Sequence, residues 1–195
     1  MFSRAAFCLV LVISACGTDG GDEPTETTVS PCDGVLHQVP GEPGTHMPQG
    51  TEIEWSSNPP ATGAHFPVWA GWDRSYVTLE RGYYVHNLEH GGIVLLYNCP
   101  DGCPDLVEQL KQDVRDAAVD PTCAAPVTKR MIVVPDPLLP EGVQVAADAW
   151  NNYYTASCYD PYVKTFMRTH YRHGPEDTCG DGIPFGGVLI DQPAP

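Results

Sequence analysis

The sequence predicts a single α+β domain: a mixed, mainly antiparallel sheet with two helices packed on it, preceded by a long Pro/Gly-rich N-terminal loop region. Three observations carry this. A chain of 195 residues suffices for one domain with a real core, and nothing in its composition divides it. Its periodic segments run strand, strand, helix, strand, strand, helix, the pattern of helices layered on a sheet. Proline, glycine and small polar residues dominate residues 32–72, where little regular structure fits.

The N-terminus reads as an export signal. Arg4 supplies a positive start, and the apolar stretch at 5–13 is far shorter than the ~20 residues a membrane-spanning helix needs. Ile13-Ser14-Ala15-Cys16 resembles the lipobox of bacterial lipoproteins, which makes residues 1–15 a lipoprotein signal peptide and Cys16 the lipid attachment point. The alternative is an ordinary signal cleaved at the same small residues. Residues 16–31, rich in Gly, Thr, Asp, Glu and Pro, form a flexible tether. The globular domain is then 32–195, and its expected home is the bacterial cell envelope, periplasmic or cell-surface.

Within the domain, the alternation Thr51-Glu52-Ile53-Glu54-Trp55 suggests an edge strand. Residues 83–86 and 92–97 are β-like, the second almost wholly apolar and therefore central in a sheet. Residues 105–118 fit a helix, because Leu106, Val107, Leu110, Val114 and Ala117 or Ala118 recur at helical spacing after an acidic start. Residues 131–134 and 143–150 read as strands, and 161–171 as a second helix that ends before Gly174-Pro175.

Of eight cysteines, Cys8 lies in the signal and Cys16 at the lipobox. Cys32, Cys99, Cys103, Cys123, Cys158 and Cys179 remain, an even set that in an exported chain reads as three disulfides among fifteen connectivities. Local closure favours Cys103–Cys123 and Cys158–Cys179, leaving Cys32–Cys99. The formal net charge of −15 argues against nucleic acid or anionic lipid bound through a basic surface.

The segment Val85-His86-Asn87-Leu88-Glu89-His90-Gly91-Gly92 is hard to explain by packing. Imidazole and carboxylate are common ligands of zinc, copper and iron. His86, Glu89 and His90 form H-x-x-E-H, the inverted zinc-protease signature, which requires a helix. Gly91-Gly92 and the β-branched and aromatic neighbours argue against that helix. In one straight strand the histidines would stand ~13 Å apart. A hairpin with Asn87-Leu88-Glu89 as its loop brings their Cβ atoms to ~5 Å, near enough to share an ion. Proline-bounded loops supply two further candidates: His65 in Asn58-Pro59-Pro60-Ala61-Thr62-Gly63-Ala64-His65, and His46 in Gly44-Thr45-His46-Met47-Pro48.

These loops and V-H-N-L-E-H-G-G resemble an uncharacterised domain-of-unknown-function family of bacterial exported and membrane-anchored proteins. Its hallmarks are an N-P-P-T-S-G-P-H-like loop and V-H-N-L-E-H-G-G. The likeness continues through Val133-Val134-Pro135, Ala149-Trp150, Phe166 and Gly174-Pro175-Glu176. The family motif falls on His46, His65, His86, Glu89 and His90, and the chain departs from it at Ala61 and Ala64. The resemblance implies a site and no named activity.

A second cluster pairs Met167 with His170, three apart on the later helix and suited to copper, although a helical apolar stripe is more often core. His37 is unremarkable. Three functions compete. The first is a lipid-anchored metal-binding protein, copper favoured and zinc possible, with His46, His65, His86 and His90 as ligands and Glu89 as a fifth ligand or a tautomer-fixing acceptor. The second is a metal-dependent hydrolase or oxidase with Glu89 as general base. The third is a non-metal interaction module whose Trp55, Trp69, Trp72, Tyr76, Tyr83 and Tyr84 form a partner surface.

Overall fold

Strands β3 (Ile93–Tyr97) and β4 (Met131–Pro135) pair in parallel at the centre of the sheet, Leu95 opposite Val133. Each is buried on both faces except at its last residue, which is why both read as unbroken apolar runs. The parallel pairing needs a crossover, and helix α2 (Pro104–Asp116) supplies it. Antiparallel strands continue the sheet beyond β3, and a parallel strand beyond β4. β5 (Val145–Ala149) lies beside β3, followed by β6 (Asn152–Ala156) and β1 (Val35–Gln38), while the two-residue strands β2 (Arg74–Ser75) and β7 (Val188–Leu189) extend the β4 side. The result is a seven-stranded mixed sheet in the order β1-β6-β5-β3-β4-β2-β7. The coordinates are a computed structural model describing residues 30–190. The predicted signal peptide, Cys16 and the tether up to residue 29 lie outside the described residues.

Side chains alternate across the strands and divide the core in two. On one face Ile93, Leu95, Met131 and Val133 meet Leu110 and Val114 of α2 and Val163, Phe166 and Met167 of α3 (Tyr162–His170). On the other, Val94, Leu96, Ile132 and Val134 meet Tyr84, Val85 and Leu88 of helix α1 (Arg81–Glu89), with Trp72 and Tyr76 filling in from the loop region. The α+β class holds. Helices cover both faces, however, and there are three of them among the described residues rather than two.

The extra helix is the main correction. Residues 83–90, expected as a strand turning through a hairpin, are the body of α1, and only the strand beginning at Ile93 survives from that reading. Residues 51–55 are irregular rather than an edge strand. The edge is β1 instead, paired with a β6 whose Asn-Tyr-Tyr-Thr-Ala run was not foreseen.

The disulfides also differ from the expected pairing: they are Cys32–Cys158, Cys99–Cys103 and Cys123–Cys179, with Cα separations of 5.1, 5.8 and 5.4 Å, all within disulfide range. Pairing of β1 with β6 carries Cys32 to Cys158. The Pro100-Asp101-Gly102 turn between β3 and α2 folds Cys103 back onto Cys99. Three bridges point to an oxidising, extracytoplasmic compartment. No helix among the described residues is long and apolar enough to cross a membrane.

Candidate metal centre

Helix α1 is nine residues long and buried nearly all round, so tertiary anchors hold it rather than propensity. At its start, Arg81 and Tyr84 both donate to the buried carboxylate of Asp136, which follows β4. At its middle, Asn87 exchanges two hydrogen bonds with the backbone of Ala70, 3.0 and 2.8 Å, fastening the helix to the segment that carries Phe66 and Trp69. At its end, Gly91 takes a left-handed φ of 76°, the common helix-terminating conformation. The fully buried guanidinium of Arg130 donates to the carbonyl of His90 at 2.7 Å, and Asp120 and Asp177 hold it there at 2.8 and 2.6 Å. The cation sits at the negative end of the helix, where the peptide dipoles favour it.

Helical spacing puts His86, Glu89 and His90 on one face, and all three are buried. The two proline-bounded loops reach this face as a zipped pair. Met47 N–H donates to the His65 carbonyl at 2.7 Å and His65 N–H to the Thr45 carbonyl at 3.0 Å, a parallel bridge that sets His46 beside His65. The rings of His46 and His65 are 5.1 Å apart, His46 and His86 5.0 Å, and His65 and His86 4.5 Å. Gly44 closes over them. A Cβ at that position would stand 1.7 Å from Glu89 Oε1, so any side chain there would displace the carboxylate.

Backbone carbonyls determine which ring nitrogens point inward. His65 Nδ1 lies 2.9 Å from the Gly63 carbonyl and His86 Nδ1 2.6 Å from the Phe66 carbonyl. A carbonyl only accepts, so each Nδ1 carries its proton and each Nε2 of a neutral ring presents a lone pair to the centre. His65 Nε2 is 2.9 Å from Glu89 Oε2 yet makes no hydrogen bond among the described residues. His86 Nε2 is 3.9 Å from the same oxygen. One ligand atom from each of His46, His65, His86 and Glu89 falls within 4.8 Å of the others. The His65 Nε2 lone pair and the buried carboxylate repel one another unless a cation or a proton lies between them, and carbonyl-held Nδ1 atoms are the usual outer support of metal-ligating histidines.

His90 stands at the edge of this group. Its Nε2 is 2.9 Å from His86 Nε2 and 3.6 Å from Glu176 Oε2, its Nδ1 is buried without a partner among the described residues, and Trp69 packs on its ring at 4.2 Å. Burial pushes His86 down to about 3 and His90 to about 4, with the neighbouring histidines adding to the shift in both and Arg130 in His90. Both rings are therefore neutral at ordinary pH, the state a metal ion requires. His46 is exposed and leaves one side of the centre open to solvent.

All five predicted ligands thus gather in one place, with His90 offset toward Glu176. Glu176 was missed as a site residue. It stood in the Gly174-Pro175-Glu176 run, but only the fold brings that loop back to α1. Met167 is core and His170 packs on Phe166 at 4.4 Å, so the second cluster forms no site. His37 stacks on Tyr153 and bonds Thr155, an ordinary strand histidine. Trp72, Tyr76 and Tyr84 are buried in the core and Trp69 walls the histidines, so of the six aromatics only Trp55, Trp69 and Tyr83 remain partly exposed.

Residues 46–181 match the DUF3105 family, described as proteins of unknown function, and the chain belongs to that family. The match spans both histidine loops, α1, the central strands and the Glu176 loop. No curated protein and no solved structure matches the chain.

Proposed function

We propose that this DUF3105 protein is an exported, lipid-anchored metal-binding protein, tethered through Cys16, that holds copper, or next in preference zinc, through His46, His65, His86 and Glu89 with His90 beside them. The observation that carries the reading is the pair of imidazoles whose Nδ1 atoms face backbone carbonyls and whose Nε2 atoms lie 2.9 and 3.9 Å from one buried carboxylate oxygen. Such a donor set suits a divalent borderline ion. It is rich in imidazole and has no thiolate among the described residues because their six cysteines are in disulfides, and divalent copper heads the first-row affinity series. The bound ion would offset the Glu89 charge and the facing lone pairs. An exposed His46 favours an exchangeable ion over a sealed structural one.

The helical H-x-x-E-H revives the hydrolase reading, with Glu89 as base beside metal-bound water. The 2.9 Å approach of Glu89 to His65 Nε2 favours a ligand role instead. Mass-spectrometric metal analysis of the mature chain from metal-replete cells tests the proposal. Stoichiometric copper or zinc should be lost in His65→Ala and His86→Ala and retained in His170→Ala. A metal-free, stable wild-type protein would remove it, and peptidase and oxidase assays of the loaded protein divide carrier from enzyme.

A further inference from the structure

We infer that the centre is dinuclear, with Glu89 bridging one ion held by His46, His65 and His86 and a second held by His90 and Glu176. The inference rests on the metal-binding reading above and adds a second site to it. Its first ground is the division of the donors. Glu89, His90 and Glu176 each offer a ligand atom within 4.8 Å of the other two, just as Glu89 does with His46, His65 and His86, and Glu89 alone is common to both groups. A carboxylate has two oxygens and bridges ions ~3.5–4 Å apart in two-metal sites.

The second ground is His90 itself. Its ring is nearly fully buried, its Nε2 hydrogen-bonds His86 Nε2 at 2.9 Å, and its Nδ1 lacks any partner among the described residues. Packing explains the Trp69 contact but not why a polar ring should stand there.

The third ground is the placement of Glu176. Its N–H donates to the Glu89 carbonyl at 3.0 Å, and Arg172 N–H donates to the Gly91 carbonyl at 2.8 Å, so the loop is fastened to the C-terminal end of α1. Gly174 packs so closely on that end that a Cβ would lie 2.3 Å from the Glu89 carbonyl oxygen. This construction brings a carboxylate next to a second, buried carboxylate, an arrangement that electrostatics disfavours, and Arg130, the cation already at this helix end, is paired with Asp120 and Asp177. Arg172, the cation nearest in sequence, is committed to Asp177 at 2.8 Å. A divalent ion between His90, Glu176 and Glu89 would remove the conflict.

The two halves differ in chemistry. The first is rich in nitrogen; the second has one nitrogen and two carboxylates, and is therefore the weaker site for copper or zinc. Zinc titration of the chelator-treated mature chain, counted by native mass spectrometry, tests the inference together with electron paramagnetic resonance of the copper-loaded protein. The expected result is two ions bound in sequence, with a half-field signal from two coupled copper ions. Glu176→Gln, an exposed substitution that leaves the core untouched, should bind one ion and lose the half-field signal while keeping the tighter site. Saturation at one ion in the wild type, or two ions in Glu176→Gln, would overturn the dinuclear centre and leave the metal-binding proposal standing. Binding of no ion would overturn both.

Discussion

Replacing Glu89 with Gln keeps the shape of a side chain that is only 6 % exposed and removes its charge. In the metal-free chain Glu89 Oε2 faces His65 Nε2 at 2.9 Å, and a ring whose single proton is on Nδ1 toward Gly63 sets two acceptors against each other. A glutamine amide turned toward Nε2 makes the contact a donor–acceptor pair, worth about 1 kcal/mol net. In a domain of this size that raises Tm by about 3 °C. With metal present the sign reverses. Free ion at about one hundred times Kd stabilises the wild type by ~2.7 kcal/mol, roughly 8 °C, and the variant should lose most of that shift. Scanning calorimetry of both proteins, first treated with chelator and then loaded with zinc, reads both signs. A metal-free Glu89→Gln protein that is about 1 kcal/mol less stable than wild type would make His65 and Glu89 a self-sufficient ion pair. Either that result or a full zinc-induced shift in the variant refutes the reasoning.

Other substitutions probe the supports. Gly44→Ala drives a methyl group to where Glu89 Oε1 now sits, so zinc affinity should fall tenfold or more by calorimetric titration, while urea unfolding of the metal-free chain changes by about 1 kcal/mol or less because Gly44 is exposed. Arg130→Met strips the buried Asp120 of its cation and should cost about 3–5 kcal/mol in urea unfolding. Metal-free stability should also depend on pH. The folded values of His86 and His90, about 3 and about 4, lie below the ordinary 6.5, so stability is full above 6.5. It falls as pH drops toward 4, by up to ~1.4 kcal/mol per pH unit for each ring. Urea midpoints that stay level between about pH 7 and about pH 4.5 would contradict this.

The strands and helices away from the site were legible because their signals were physical necessities. The unbroken apolar runs of β3 and β4 reflect burial on both faces, and the spacing of Leu106, Leu110 and Val114 reflects one buried stripe on α2. Helix α1 was not legible for the converse reason. It is buried nearly all round, so it carries no amphipathic stripe, and its aromatic and β-branched residues mimic a strand. Gly91-Gly92, taken as a reason to deny a helix, is in fact its stop signal. The candidate residues still come together despite that error, since residue chemistry and the proline-bounded loops named His46, His65, His86, Glu89 and His90 without the correct backbone. Glu176 and two of the disulfides depend on contacts distant in sequence, across 86 residues from His90, 126 between Cys32 and Cys158 and 56 between Cys123 and Cys179, which no local pattern encodes.

His65, His86 and Glu89 are proposed to converge on one metal ion, which a crystal of the metal-loaded mature protein, measured at the absorption edge of copper or zinc, would show. An anomalous peak ~2.0–2.2 Å from His65 Nε2, His86 Nε2 and a Glu89 carboxylate oxygen is the predicted result. A loaded crystal with no peak there, or with its strongest peak away from these residues, would contradict it.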